Sequence, residues 1–464
     1  LAAVHQSRGH LTEAVTACRE GLKHCPQSAR LQYSLGQLLR QQCDFEEAAS
    51  AYAAAREAGF APPELFINQA EAYLESGDLE AAVACADAGV EIFPDNAVLQ
   101  RTRARLHFES GAPGDPVAPL WQAAREHTGT ASLWYSLVRL LERLGREEES
   151  EAALAEGRRL GCPDTPEILM LDAWSRAKAG EHDEATRAFR AILDDQPGHS
   201  GVKLTFASHL LGHGDPAEAE ALCASVLQTD PSNQLAWCYR GTAWQLLEDP
   251  REQWLLDYDR MVSTVEVPPP DGYADTASFM DEVQAVLETL HRTQARPIDQ
   301  SVRGGTQTSG FLFRLKHPLL RIREAQIRVA AKEVLSAFPN EPDHPFWGRR
   351  INAPRGDGFR FTGAWSVRLQ SEGYHSNHIH TEGWISSAFY ISLPDVVQEE
   401  DSTAGHIQFG VPMTELELEL PPKRIVRPRV GTLVLFPSYM WHGTIPYTSE
   451  EPRITVAFDL QPEP

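Results

Sequence analysis

Several things are scarce in this chain. It has no apolar run near the roughly 20 residues that span a bilayer and no basic-then-apolar leader, so neither a membrane segment nor a secretory signal is predicted. Positive charge is the minority: 42 Lys and Arg stand against 65 Asp and Glu, a net charge of −23. That balance argues against nucleic acid, whose phosphates attract basic surfaces, and against an anionic membrane face. It mildly favours a neutral or basic partner. Cysteine is sparse and one-sided. The 7 residues are Cys18, Cys25, Cys43, Cys85, Cys162, Cys223 and Cys238. The number is odd, none lies beyond Cys238, and no CxxC or Cys/His pair has zinc spacing. No disulfide framework reads out, so free buried thiols in a reducing, cytoplasmic setting are expected. Leu1 is not a natural start, and the N-terminus is expected to be trimmed. At 464 residues the chain exceeds one ordinary domain, and 42% hydrophobic content is ample for packed cores.

What is plentiful is rhythm. One turn position recurs at Gly9, Cys43, Gly77, Gly111, Gly145, Gly180, Gly214 and Glu248, every 34 residues with a single slip of one. Five positions later come Ala14, Ala48, Ala82, Pro116, Ser150, Ala185 and Ala219. Pro26, Pro94, Pro197 and Pro231 close four of the units. Two antiparallel helices per unit, with a small residue where they touch, a turn residue able to reach the left-handed region and a proline at the exit, resemble the tetratricopeptide pattern. Trp134 and Trp237 take the aromatic place in their first helices. Pro113, Pro116 and Pro119 are expected to disrupt the second helix of the fourth unit. Stacked pairs of this kind form a superhelix with a concave groove, read here as a site for a peptide or protein partner, or for a second copy of the chain as a homodimer. The plain alternative is a bare spacer array.

The rhythm ends at Glu248-Asp249-Pro250. Trp254 to Val262 reads as a capping helix, and Pro268-Pro269-Pro270 as a stiff linker. Helices are expected over residues 279–291 and 322–338. From Phe359 the texture changes to short β-rich runs between Gly and Pro turns, at residues 364–369, 385–393, 406–409, 425–427, 432–436 and 454–460. That pattern implies an antiparallel barrel or jelly roll. The expected organisation is a repeat solenoid with its cap over 1–264, a linker and helix over 265–299, and a jelly-roll domain with flanking helices over 300–464: a multidomain α + β chain.

Two stretches of that last domain carry chemistry. In Tyr374-His375-Ser376-Asn377-His378-Ile379-His380-Thr381-Glu382, an extended strand would put His378, His380 and Glu382 on one face. His442 follows an apolar strand, and Arg453-x-Thr455 begins the next. A His-x-acid or His-x-His pair with a remote His is the spacing of a mononuclear non-haem Fe(II) centre with open positions. Two ligand sets fit: His380, Glu382 and His442, or His378, His380 and His442. His375 points to the other face, as a surface or supporting residue. Arg453 and Thr455 would both face inward, suited to a buried carboxylate, with a structural salt bridge as the alternative. Arg303-Gly304-Gly305-Thr306-Gln307-Thr308 reads as a Gly-rich loop with polar donors but without P-loop spacing, with a flexible linker as the plain alternative. Arg368 could line the barrel. Trp365, Trp384 and Tyr390 read as core.

The block from about Gln300 to Asp459 resembles the double-stranded β-helix 2-oxoglutarate/Fe(II)-dependent oxygenases. More closely, it resembles the oxygenase domain that follows tetratricopeptide repeats in bacterial proteins. The residues concerned are Gln300 to Thr308, Trp365-Ser366-Val367-Arg368-Leu369, His378-x-His380, Gly383-Trp384-Ile385-Ser386-Ser387, Phe436-Pro437-Ser438, Trp441-His442-Gly443-Thr444 and Arg453-x-Thr455. The resemblance implies Fe(II), 2-oxoglutarate and O2, and hydroxylation of an unactivated C–H bond. It places His378, His380 and His442 at the metal, Glu382 being less characteristic there, and 2-oxoglutarate at Arg453 and Thr455. It also implies that the loop of Arg303 and Thr306 covers the site and touches substrate or co-substrate. A groove beside such a pocket makes a peptide or protein side chain the first guess for substrate. The alternatives are an oxygenase of a small molecule and a non-catalytic scaffold with a sensor-like β-domain.

Overall fold

The computed structural model describes residues 10–351 and 358–463; the first turn position, Gly9, lies outside them. Contacts divide the chain into two compact units. One holds residues 1–168 with 292–299 and 309–316, the other 169–291, 300–308 and 317–464.

In the first unit the helices pair as the period predicts: Ala29–Gln41 with Phe45–Glu57, Pro63–Ser76 with Leu79–Ile92, and Ala131–Leu144 with Glu147–Arg159. The small residues at the helix contacts are closed to solvent; Ala14 and Ala48 are 0% exposed, Ala82 1% and Ser150 4%. The turn positions Cys43, Gly77, Gly111 and Gly145 all take positive φ, the left-handed cap that lets a second helix start. In the fourth unit the three prolines leave a second helix of only Ala118–Glu126. Segment 292–299, which follows the helix expected over 279–291, lies along these repeats as irregular chain. Arg292 donates to Ser76 O, the N–H groups of Gln294 and Ala295 donate to Glu109 O at 2.9 and 3.3 Å, and Arg296 Nη2 donates to Arg143 O at 2.8 Å.

The second unit carries the later repeat helices, His182–Asp195 to Gln234–Leu246, followed by short helices Arg251–Leu255 and Tyr258–Met261 where one capping helix was expected. The strands are β1 (Ser263–Glu266), β2 (Val302–Gln307), β3 (Phe359–His375), β4 (Ile385–Ser392), β5 (Ile407–Phe409), β6 (Arg424–Val426), β7 (Thr432–Pro437), β8 (His442–Thr444) and β9 (Arg453–Pro462). They form a six-stranded sheet in the order β1-β7-β4-β9-β3-β2 and a three-stranded sheet in the order β6-β5-β8, antiparallel throughout, with the alternation of a jelly roll. Helices Thr276–Leu290 and Pro318–Ser336 flank the larger sheet, with the Arg323 guanidinium 4.6 Å from the Phe279 ring and 4.8 Å from the Phe389 ring of β4. Three strands were not foreseen: β1, β2 and the short β8, which carries His442. β1 straddles the expected boundary between the repeat cap and the linker. β2 is the Gly-rich stretch read as a loop: its glycines permit close approach, since a Cβ on Gly305 would stand 2.4 Å from Arg368 O. None of the seven cysteines is in a disulfide, and no helix among the described residues is long and apolar enough to cross a membrane.

Candidate metal centre

β3 ends at His375. The chain then bends through Asn377 and runs beside β8, where His378 N–H donates to His442 O (2.9 Å) and His442 N–H to His378 O (3.1 Å). This bridge sets two histidines from distant parts of the sequence side by side. Ligand nitrogens of His378, His380 and His442 all lie within 4.8 Å of one another, and His378 Nε2 is 3.2 Å from His380 Nε2. Each Nδ1 faces an oxygen: Ser376 O at 2.7 Å, Asp459 Oδ1 at 2.7 Å and Met440 O at 3.0 Å, for His378, His380 and His442 in turn. A neutral imidazole that donates from Nδ1 keeps a bare lone pair on Nε2. Three such lone pairs converge, each ring oriented from behind as metal-ligating histidines are. Burial, then the neighbouring imidazoles, holds His378 and His442 well below the ordinary histidine value.

Glu382 is not brought to this group. Bends at Thr381 and Glu382 break the alternation that an extended strand would have kept, and Glu382 is exposed, its backbone carbonyl accepting from Gln461 Nε2 at 2.5 Å. The acid that does arrive is Asp459. Besides His380 it accepts from Ser386 Oγ at 2.7 Å, and Ser386 in turn meets Ser438 Oγ at 2.8 Å. Sequence reasoning passed over Asp459; the available signal was an acid inside the apolar run 454–460, in phase with Arg453 and Thr455. His375 is no surface residue. Its Nδ1 is 3.0 Å from Ser301 Oγ, its ring stacks against His378, and burial followed by the Arg453 charge pushes it down to about 3.

Along one face of β9 run Arg453, Thr455, Ala457 and Asp459, so the carboxylate behind His380 and the guanidinium of Arg453 share a face. Arg453 is 1% exposed and Thr455 4%. Among the described residues no carboxylate pairs with Arg453. Its Nε has no hydrogen-bond partner, and its guanidinium lies 5.2 Å from the ring of Tyr390. Ala457, and Ala388 on the neighbouring β4, are only half-buried among closed neighbours. Leu369 and Val367 of β3 pair with Arg453 and Thr455, whereas Thr306 pairs with Arg368. Thr306 and Arg368 therefore belong to the opposite face. Thr306 Oγ1 meets His291 Nδ1 at 2.9 Å, and His291 Nε2 meets Ser366 Oγ at 3.0 Å. Arg303 donates to the carbonyls of Gln300 and Val302. Trp384 donates to Phe346 O in the core, as expected, while Trp365 reaches the site, 5.7 Å from the His380 ring.

Comparison with known proteins agrees with both halves of the chain. The family model described as "Putative 2OG-Fe(II) oxygenase" matches residues 363–459. Models of the tetratricopeptide repeat match residues 1–62, 63–96, 135–200 and 176–237. The chain thus carries tetratricopeptide repeats across its N-terminal region and a domain of that oxygenase family near its C-terminal end. DnaJ homolog subfamily C member 3 of Gallus gallus is 26% identical over 209 residues, 41% of this chain and 41% of that protein. The Homo sapiens protein of that name is 25% identical over 201 residues, 40% and 39% respectively. The matches therefore span about two-fifths of the length of these curated relatives. Among solved structures, yeast Tom70 gives a TM-score of 0.40 at 16% identity over 54% of this chain and 55% of that one. The human IFIT1 dimer with PPP-AAAA gives 0.31 at 16% identity over 54% and 64%.

Proposed function

We propose that the chain is an Fe(II)/2-oxoglutarate-dependent oxygenase that hydroxylates an unactivated C–H bond, on a peptide or protein side chain presented with the help of the repeats. One observation carries this reading: three converging histidine nitrogens stand beside a buried guanidinium without a protein counter-ion, and one face of β9 carries both that guanidinium and the carboxylate behind His380. His378, His380 and His442 would hold the iron, and Arg453 with Thr455 the far carboxylate of 2-oxoglutarate. Bound there, the two groups supply O2 activation and C–H oxidation.

The residues of the chain do the rest. Ser376 O, Asp459 and Met440 O fix the tautomer and aim of each imidazole before metal arrives. Arg453 meets an anion where water is excluded, so its charge acts at low dielectric. Trp365 beside His380 and Phe436, 4.5 Å from the His442 ring, wall the site with aromatic surface. Three imidazoles bring no negative charge to a divalent ion; Asp459, hydrogen-bonded to His380, supplies one from behind. A peptide substrate is supported by the repeats themselves: segment 292–299 lies along them with its backbone N–H groups on Glu109, so their surface accepts a non-helical segment of chain.

Anaerobic titration of Fe(II) and 2-oxoglutarate into wild type and His442→Ala tests the reading. A weak visible charge-transfer band that saturates at one equivalent and vanishes in the variant is expected. No band, with no oxoglutarate bound, would instead make the β-domain a non-catalytic module. Succinate release driven by the protein fraction of an extract supports the peptide substrate, and release driven only by the small-molecule fraction overturns it.

A further inference from the structure

The residue just before β2 reaches the metal centre. Ser301 Oγ lies 3.1 Å from His378 Nε2, the atom that also stands 3.2 Å from His380 Nε2. Adjacent ligands of one octahedral ion, each at about 2.1 Å from it, are separated by about 3 Å. Two atoms therefore sit at ligand-to-ligand spacing from His378 Nε2: the His380 nitrogen and the Ser301 oxygen. The hydroxyl is held in place on both sides. Ser376 N–H donates to Ser301 O at 3.0 Å, and Ser376 Oγ donates to the same carbonyl at 3.3 Å. Val302 begins the β2–β3 ladder opposite His375. On the side away from His378, Ser301 Oγ meets His375 Nδ1 at 3.0 Å. A neutral His375 accepting at Nδ1 takes the hydroxyl proton in a hydrogen bond, which turns the oxygen lone pairs toward the centre.

We propose that Ser301 Oγ is a fourth protein donor to the metal, next to His378, with His375 as the acceptor that orients it. This rests on the three-histidine centre proposed above. It gives that centre an oxygen donor where the neighbouring acid, Glu382, turns away. A neutral hydroxyl is a weak, hard donor beside imidazoles, so it caps a position without closing it to a stronger ligand. It also gives His375, read from the strand alternation as a surface or supporting residue, a supporting task.

The test uses Co(II), titrated anaerobically into the full chain as wild type, Ser301→Cys, Ser301→Ala and His442→Ala. Wild type should bind one equivalent through its histidines, and His442→Ala should not. Ser301→Cys should gain an intense near-ultraviolet thiolate-to-cobalt band at one equivalent, absent from wild type despite its seven cysteines and lost again when His442→Ala is added. Ser301→Ala should bind cobalt about 10-fold more weakly, in the range for groups that support a metal site. If Ser301→Cys binds one equivalent with the wild-type spectrum, or Ser301→Ala binds as tightly as wild type, Ser301 is not a donor and the three-histidine centre stands without it. If wild type binds no cobalt, the centre itself fails and the proposal with it.

Discussion

Replacing Arg453 with Met should move stability and co-substrate binding in opposite directions. The side chain is 1% exposed, and its Nε lacks any partner. A buried donor left unpaired costs about 1–3 kcal/mol, and a buried, uncompensated charge costs several more before relaxation. Methionine keeps the length of the stem and removes every donor. Without ligands, Arg453→Met should therefore be more stable than wild type by about 1–3 kcal/mol. With 2-oxoglutarate the sign reverses. Truncating one partner of a buried, hydrogen-bonded charge pair costs about 2–5 kcal/mol, so the dissociation constant should rise about 30- to 5,000-fold. Urea unfolding without ligands gives the first quantity, and anaerobic calorimetry of oxoglutarate binding the second. Breaking a buried protein–protein ion pair destabilises by about 3–5 kcal/mol. A destabilised ligand-free variant that still bound oxoglutarate normally would mean that Arg453 serves the fold, and the reasoning would be refuted.

The other expectations are narrower. Glu382→Ala should leave metal affinity within about twofold of wild type, because the residue is exposed and outside the histidine group; a large loss would restore it as a ligand. Asp459→Asn removes a charge behind His380 while keeping an acceptor, and should weaken metal binding by about 10- to 100-fold, measured by competition with a chelator. Metal-free stability should depend on acid, because His375 and His291 are pushed down to about 3 and about 4, and His378 and His442 well below their ordinary value. The folded values lie below the unfolded ones, so this stability is complete above about pH 6.5 and is lost as pH falls below it, by up to about 1.4 kcal/mol per pH unit for each histidine; a flat profile between pH 7.5 and 5.5 would contradict the burial. Thr242→Val removes the acceptor of the Trp441 indole N–H and should cost about 1–3 kcal/mol and weaken metal binding at His442; unchanged values for both would show the contact to be incidental.

The repeats were legible because their signals are local and recur. A turn residue, a small residue five positions on and a proline each report on a few neighbouring residues, and the period identifies Cys43 and Glu248 as turn positions although neither is glycine; both take positive φ. The strands after Phe359, the three-residue β8 apart, were legible from alternation and bounding turns. β2 was not, because Gly304 and Gly305 look like a loop, and only the register shift at Gly304, between the Arg303–Tyr374 and Gly305–Leu369 pairs, and the close Arg368 carbonyl explain them. Glu382 was misplaced for a related reason: alternation predicts a face only while the strand lasts, and the chain bends at Thr381. Asp459 and Ser301 reach the centre across the fold, over separations at which sequence patterns carry no information about contact.

The same distinction bears on how the repeats serve the site. Three prolines at 268–270 suggest a clean seam, with the repeats acting on substrate alone and removable as far as residue 250. Side chains cross that seam. His442 is aimed by Met440 O, and the residues on either side of Met440 are anchored on the helical segment: Tyr439 OH donates to Leu255 O and Trp441 Nε1 to Thr242 Oγ1, each at 3.0 Å. β1, from the same segment, pairs with β7, which leads into that turn. Cutting at residue 250 would remove Thr242, leaving a buried indole N–H unpaired at a cost of about 1–3 kcal/mol, one residue from a metal ligand. It would also expose the face on which Tyr439 and Trp441 rest. Loss of turnover after such a cut would thus follow from a displaced His442 as readily as from a lost substrate groove. Recruitment is better probed by surface substitutions on the earlier repeats, which leave the helix Gln234–Leu246 and everything it supports in place.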